Sequence, residues 1–184
     1  MKRKYYNIQG HLHFLTFSCF QRRQLLVDPL LCRWLADGLN RCRTMSLIRV
    51  YAYVFMPEHV HLMVHPINEV YSIGNILRHI KEPFARRVNA HWEKTEPDTI
   101  ASIRVQVGER SVRRFWQAGG GFDRNITDYD SAVRTIEYIE NNPVRRQLVT
   151  NPTEWAWSSA AARIGKGNGT VILDEFRPDI LGSD

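Results

Sequence analysis

Phe55-Met56-Pro57-Glu58-His59-Val60-His61-Leu62-Met63-Val64-His65 reads as a strand entered through a short Pro-Glu turn. Successive side chains of a strand point to opposite faces, so His59 and His61 project from the same face, with His65 further along it. Two imidazoles about 7 Å apart on one face of a strand can converge on a divalent ion. Working outward, Leu47 to Met56 reads as the preceding strand and His11 to Phe20 as a first one. Leu30 to Thr44 carries Leu31, Trp34, Leu35 and Leu39 at helical spacing. A second helix begins near Ser72, with Ile73, Ile76, Leu77, Ile80, Phe84 and Val88 as its buried stripe and a kink or break expected at Pro83.

Downstream the pattern weakens. Thr95 to Ser111 has no readable period, and a strand is expected near Arg113 to Ile126, bent at Gly119-Gly120-Gly121. These glycines form a turn without phosphate-loop character, because no Lys-Ser/Thr follows them. A helix is expected to open near Thr127, capped by it with Asp130 three residues on. It should stop before Pro143, since a residue preceding proline avoids the helical region. Trp155 to Ile164 closes the list as a short helix, with Trp155 and Trp157 as core anchors. The order β-α-β-β-α-β-α predicts an α+β fold, an antiparallel sheet with helices packed on one face.

Bulk properties bound the function. The 184 residues are 43% hydrophobic, enough for one good core and cramped for two domains. A net charge of +6 and a pI near 9.5 favour an anionic partner. Cys19, Cys32 and Cys42 are odd in number and contain no Cys-x-x-Cys pair, so they read as reduced cytosolic thiols, neither a disulfide framework nor a zinc knuckle. The basic start Met1-Lys2-Arg3-Lys4 is followed by no apolar h-region, and no apolar run approaches 18 residues, so neither a signal peptide nor a membrane span is expected.

The second decisive stretch is Tyr138-Ile139-Glu140-Asn141-Asn142-Pro143-Val144. Helical spacing puts Tyr138 and Asn142 on one side. Taken singly, the histidines read as a surface pair, Tyr138 as a packing residue and Asn142 as a helix stop. Taken together, a metal-binding pair and a tyrosine with a polar neighbour one turn away point to phosphodiester chemistry through a covalent phosphotyrosine.

The combination resembles the HUH single-strand DNA transposases, and within them the REP-associated tyrosine transposases, stand-alone relatives of the IS200/IS605 transposases. The resemblance is carried by Ala52 to Val64, by Phe115-Trp116-Gln117 through Gly121-Phe122-Asp123, by Asn142-Pro143-Val144-Arg145 and by Trp155-Ala156-Trp157-Ser158-Ser159. It covers roughly residues 8 to 164. It implies a ferredoxin-like, RRM-like sheet and one transposase domain over 1–184, with 150–184 as a C-terminal extension. Glu58 stands where the family commonly has a small polar residue such as Asn; a carboxylate there either tunes the ion or faces solvent.

By resemblance, Asn142 supplies a third metal ligand beside His59 and His61, and Tyr138 is the nucleophile. His65 is expected in a structural or phosphate-contacting role, with a place as alternative ligand left open. All three proposed ligands are neutral, so the ion keeps its full charge for phosphate. Mg²⁺ or Mn²⁺ suits phosphate and water oxygens, though two imidazoles also accept Zn²⁺ or Co²⁺. A phenol's ordinary pKa is near 10, so the nucleophile needs deprotonation or help from the ion. The partner implied is single-stranded DNA with hairpin or palindromic repeats, met as a monomer or homodimer in the cytoplasm, at a bacterial nucleoid. Arg78, Lys81, Arg86, Arg87, Arg113, Arg114, Arg145 and Arg146 are the candidate DNA contacts, since cations beside aromatics suit phosphates and unstacked bases. Two other readings stand beside the enzyme: a catalytically silent hairpin-binding module, and a metal site that uses His65 and ignores Tyr138.

Overall fold

The computed structural model describes residues 6–119, 121–168 and 171–181. The chain runs β1 (Leu12–Ser18), α1 (Pro29–Thr44), β2 (Ile48–Met56), β3 (His59–Pro66), α2 (Ile73–Thr95) and α3 (Pro97–Ser102). It continues through β4 (Arg104–Val107), β5 (Arg110–Arg113), β6 (Phe122–Ile126), α4 (Tyr129–Glu140), α5 (Asn142–Arg145) and α6 (Ser159–Arg163). Four strands form one antiparallel sheet in the order β2-β3-β1-β6, the ferredoxin-like arrangement, and β4 and β5 form a separate hairpin.

Alternation in the central strands divides the interior in two. Leu15, Phe17, Tyr53, Phe55, Val60, Leu62 and Val64 face α1 and α2 and join one core. Phe14, Val54, Met56 and Met63 face the other way and join a second core with Ala132 and Ile139 of α4. The α+β class and the antiparallel sheet are therefore as expected, and α1 and α2 share one face. The expectation of helices on one face fails for α4, which lies on the opposite face. Its stripe of Ala132, Thr135 and Ile139 specifies an apolar side but not which face of a sheet receives it.

Three further expectations are corrected. Pro83 does not break α2, which is helical throughout its 23 residues. The seven side chains it buries contribute roughly 1.5–3 kcal/mol each, more than the ~3 kcal/mol that an interior proline costs. The strand expected over 113–126 is two pieces, because β5 turns back on β4 and the sheet resumes only at Phe122. Asp128, not Thr127, caps α4, since its Oδ1 accepts from the Ser131 N–H at 2.8 Å. As expected of anchors, Trp157 packs against the first core and Trp155 against the second; both are partly buried and also serve at the sheet edge.

That edge is β2, whose outward backbone groups would otherwise be unpaired. Trp157 O accepts from Phe55 N–H at 2.9 Å, and the Trp155 indole N–H donates to Phe55 O at 2.9 Å. Ser159 Oγ accepts from Tyr53 N–H, Arg163 donates to Tyr51 O, and Asp174 takes both Val50 and Arg43. Residues beyond 150 thus cover the edge. Cys19, Cys32 and Cys42 are buried free thiols. No helix among the described residues is long and apolar enough to cross a membrane.

Gly121 immediately precedes β6 at φ +73°, and a Cβ there would lie 2.1 Å from the Thr16 carbonyl oxygen of β1. The backbone conformation and the contact both demand glycine. Gly121→Ala should destabilise the fold by more than about 2 kcal/mol, measured by urea denaturation; a change under 0.5 kcal/mol would show that this strand approach is not rigid.

Candidate active site

The β1–β3 register places Thr16 opposite His61 and Ser18 opposite His59. Both histidines are 6% exposed and lie on the sheet face covered by α4. Their Nε2 atoms approach to 3.0 Å. Each Nδ1 is held from behind: His61 by Thr16 Oγ1 at 2.7 Å, His59 by Glu58 Oε1 at 3.1 Å. A carboxylate on Nδ1 places the proton there and leaves Nε2 with its lone pair, the usual arrangement of a metal-binding histidine. Glu58 does not face solvent. It is 6% exposed, and the same oxygen accepts from Arg146 at 2.7 Å.

Burial pushes the His61 pKa down from 6.5 to about 3, helped by His59 and then Arg145. His59 is lowered too, by burial first, with Glu58 opposing that shift. Both rings therefore stay neutral at physiological pH, the state in which imidazole is a ligand.

Asn142 opens α5 and is 6% exposed. Its Oδ1 is buried and has no hydrogen-bond partner among the described residues. An orphaned acceptor of this kind costs about 1–3 kcal/mol, unless a cation or donor satisfies it. Asn142 lines one cleft with Thr16, His59, His61 and Tyr138. Among the described residues no three His, Cys, Asp or Glu side chains gather as a metal group; the donor set in the cleft is two imidazoles and one amide oxygen.

Tyr138 comes from the last turn of α4. Its ring lies 5.6 Å from that of His61 and 5.8 Å from that of Phe14, both edge-on, and the side chain is 40% exposed. The tyrosine thus reaches the histidines of its own chain. Glu140 points elsewhere, accepting from Ser159 Oγ at 2.6 Å and Arg163 Nε at 3.1 Å. The cleft holds about 290 Å³. His65 is not among its lining residues: it sits two strand positions beyond Met63, with its Nδ1 buried and without a hydrogen-bond partner among the described residues.

The candidate DNA contacts separate. Arg145 and Arg146 line the cleft, and Arg145 holds its guanidinium 4.6 Å over the Tyr138 ring. Arg78, Lys81, Arg86 and Arg87 lie on α2, across the sheet. Arg87 is engaged with Asp37 and stacks 4.2 Å over Trp34, Lys81 reaches Gly119 O and the Phe17 ring, and Arg113 is paired with Glu93. Arg114 is half-buried outside the cleft.

Arg22 was not singled out by sequence, yet it lines the cleft. It sits in a tight turn after β1, where Gln21 and Arg22 adopt φ of +53° and +55°. Two successive non-glycine residues in this region cost roughly 1–3 kcal/mol each. The turn is pinned by Phe20 N–H to Phe115 O at 2.7 Å and by Gln21 N–H to Gln117 Oε1 at 3.0 Å. No local sequence signal marks it, because the conformation is imposed by the distant segment 115–117.

Comparison with known proteins agrees with this architecture. The family model described as "Transposase IS200 like" matches residues 4–142. An uncharacterised protein of Haemophilus influenzae is 24% identical over 160 residues, covering 77% of this chain and 85% of its own. Among solved structures, a REP-associated tyrosine transposase bound to a REP hairpin superposes with a TM-score of 0.68 at 19% identity, over 97% of this chain and 96% of that one. The fold is shared at full length, and by its family match the chain belongs to the IS200-like transposases.

Proposed function

We propose that the chain is a divalent-metal-dependent, single-strand DNA endonuclease and strand transferase that cuts beside hairpins through a 5′-phosphotyrosine at Tyr138. The observation that carries this reading is the convergence in one cleft of two neutral Nε2 donors, an orphaned amide oxygen and an accessible phenol. His59, His61 and Asn142 would hold Mg²⁺ or Mn²⁺, which when bound supplies Lewis-acid polarisation of the scissile phosphate. Hairpin DNA is the proposed partner because the solved relative of like fold is bound to a REP hairpin.

In this mechanism Arg22, Arg145 and Arg146 bind the phosphate and its neighbours, with Arg146 partly offset by Glu58. Phe14 and His61 fix the tilt of the Tyr138 ring. The Tyr138 oxygen attacks phosphorus, the bond from phosphorus to the 3′ oxygen breaks, and a 5′-phosphotyrosine and a free 3′-OH result. The phenol's proton leaves to solvent through the open cleft, and the departing 3′ oxygen takes one up. The phosphodiester energy is kept in the covalent link, so another 3′-OH reverses the step onto a new strand without ATP.

The test is incubation of the protein with end-labelled hairpin oligonucleotides from the flanks of its gene, with Mn²⁺ or EDTA, on a denaturing gel. The reading expects a metal-dependent adduct that survives SDS. Tight binding with no adduct under any divalent ion would favour the silent binding module instead.

Glu58 gives a finer test. Glu58→Gln keeps the shape but removes the charge that orders the His59 proton, and should weaken Mn²⁺ binding by about 10- to 100-fold, read by calorimetry. Unchanged Mn²⁺ affinity would mean that His59 is oriented without it.

A further inference from the structure

A second cleft, of about 330 Å³, opens on the far side of the Tyr138 ring. Tyr138 is the wall it shares with the cleft of the histidines. Phe14 forms part of it and is nearly buried, whereas Phe122, 5.8 Å from Phe14, is 42% exposed and belongs to neither core. Arg124 and Arg134 stand at its rim, and among the described residues no carboxylate lines it. Arg124 is fixed in place, donating to Thr135 Oγ1 at 2.9 Å with its guanidinium 5.7 Å from the Phe14 ring. Arg134 donates to Ser131 Oγ and has an acid, the exposed Asp128, only at 4.0 Å. A third cleft shares Phe122 with this one and Thr16, Ser18 and Arg22 with the first, so the three openings are linked by shared walls, with Tyr138 between the first two.

An aromatic face beside one fixed and one exposed guanidinium, with the nearest acid at the outer edge, is a composition that takes an unstacked base and its phosphate. The volume lies at the small end of ligand pockets, the scale of a single nucleotide. Resting on the phosphotyrosine reading above, we propose that this cleft, between α4 and the β1–β6 edge, is a nucleobase pocket. It receives one unpaired base next to the phosphate that Tyr138 attacks. Phe122 stacks on the base, while Arg124 and Arg134 hold its edge and backbone. The pocket fixes the position of the cut by seating one flanking base while the phosphate reaches Tyr138.

The test uses hairpin oligonucleotides with single-stranded flanks in which 2-aminopurine replaces each flanking base in turn. They are bound in EDTA to Tyr138→Phe protein, which keeps the ring wall and cannot cut. One position, or two adjacent ones, should be quenched on binding, and the quench should vanish with Phe122→Ala and persist with Phe122→Tyr. An abasic residue at that position should weaken binding about tenfold in protein with Phe122 and have little effect in Phe122→Ala. DNA bound with no quenched base, or a quench that survives Phe122→Ala, overturns the pocket and leaves the phosphotyrosine reading standing. A Phe122-dependent quench together with no adduct from wild-type protein overturns the phosphotyrosine reading and leaves the pocket. Failure to bind any of the hairpins overturns both.

Discussion

Tyr138→Phe is expected to bind hairpin DNA within about threefold of wild type, a difference below 1 kcal/mol, and to form no covalent adduct. The asymmetry follows from the geometry. The ring is held edge-on by Phe14 and His61, beneath the Arg145 guanidinium, and phenylalanine keeps all three contacts. Only the oxygen is lost, and it is the sole atom the mechanism asks to bond with phosphorus. At 40% exposure the hydroxyl holds no buried network together, so folding should be unchanged. Equilibrium binding by anisotropy and a denaturing gel on the same samples check both halves. Residual adduct would place the nucleophile elsewhere; a large loss of binding would mean that the hydroxyl holds DNA rather than cutting it.

His61→Ala should lower Mn²⁺ affinity by at least about 100-fold, beyond what loss of an outer hydrogen-bond partner costs, and lower adduct formation with it. His61 donates one of only two imidazoles, and its Nε2 lies 3.0 Å from that of His59. Groups that act as one unit give non-additive losses, so His61→Ala combined with Tyr138→Phe should be no worse for cleavage than Tyr138→Phe alone. Mn²⁺ titration followed by electron paramagnetic resonance measures the affinity directly. An unchanged Mn²⁺ affinity in His61→Ala would rule out the histidine pair as the metal seat.

The parts of this arrangement that were legible in sequence are those set by local periodicity. A period of two put His59 and His61 on one strand face, and helical spacing put Tyr138 and Asn142 on one side of a turn. The structure brings all four to one cleft. What sequence did not disclose depended on distant partners. The face chosen by α4 is decided by Phe14, Val54, Met56 and Met63 of the sheet, not by α4 itself. Arg22 reaches the cleft through a left-handed turn that Phe115 and Gln117 hold in place. The hairpin of β4 and β5 shows little burial on either face, so it has no hydrophobic alternation to read. The basic residues on α2 looked like DNA contacts by composition alone, yet that helix covers the sheet face away from the histidines. Glu58 looked like a departure from a family pattern, and its role emerged only with Arg146 beside it, 88 positions away.

The central claim is that Tyr138 carries the DNA, and the most direct measurement is mass spectrometry of tryptic peptides from the adduct formed with Mn²⁺ and a hairpin oligonucleotide. The account predicts a nucleotide attached through its 5′ phosphate to the peptide containing Tyr138, and to no other. DNA cleaved by the protein with the nucleotide on a different residue, or with 5′-phosphate ends and no linked peptide, would contradict it.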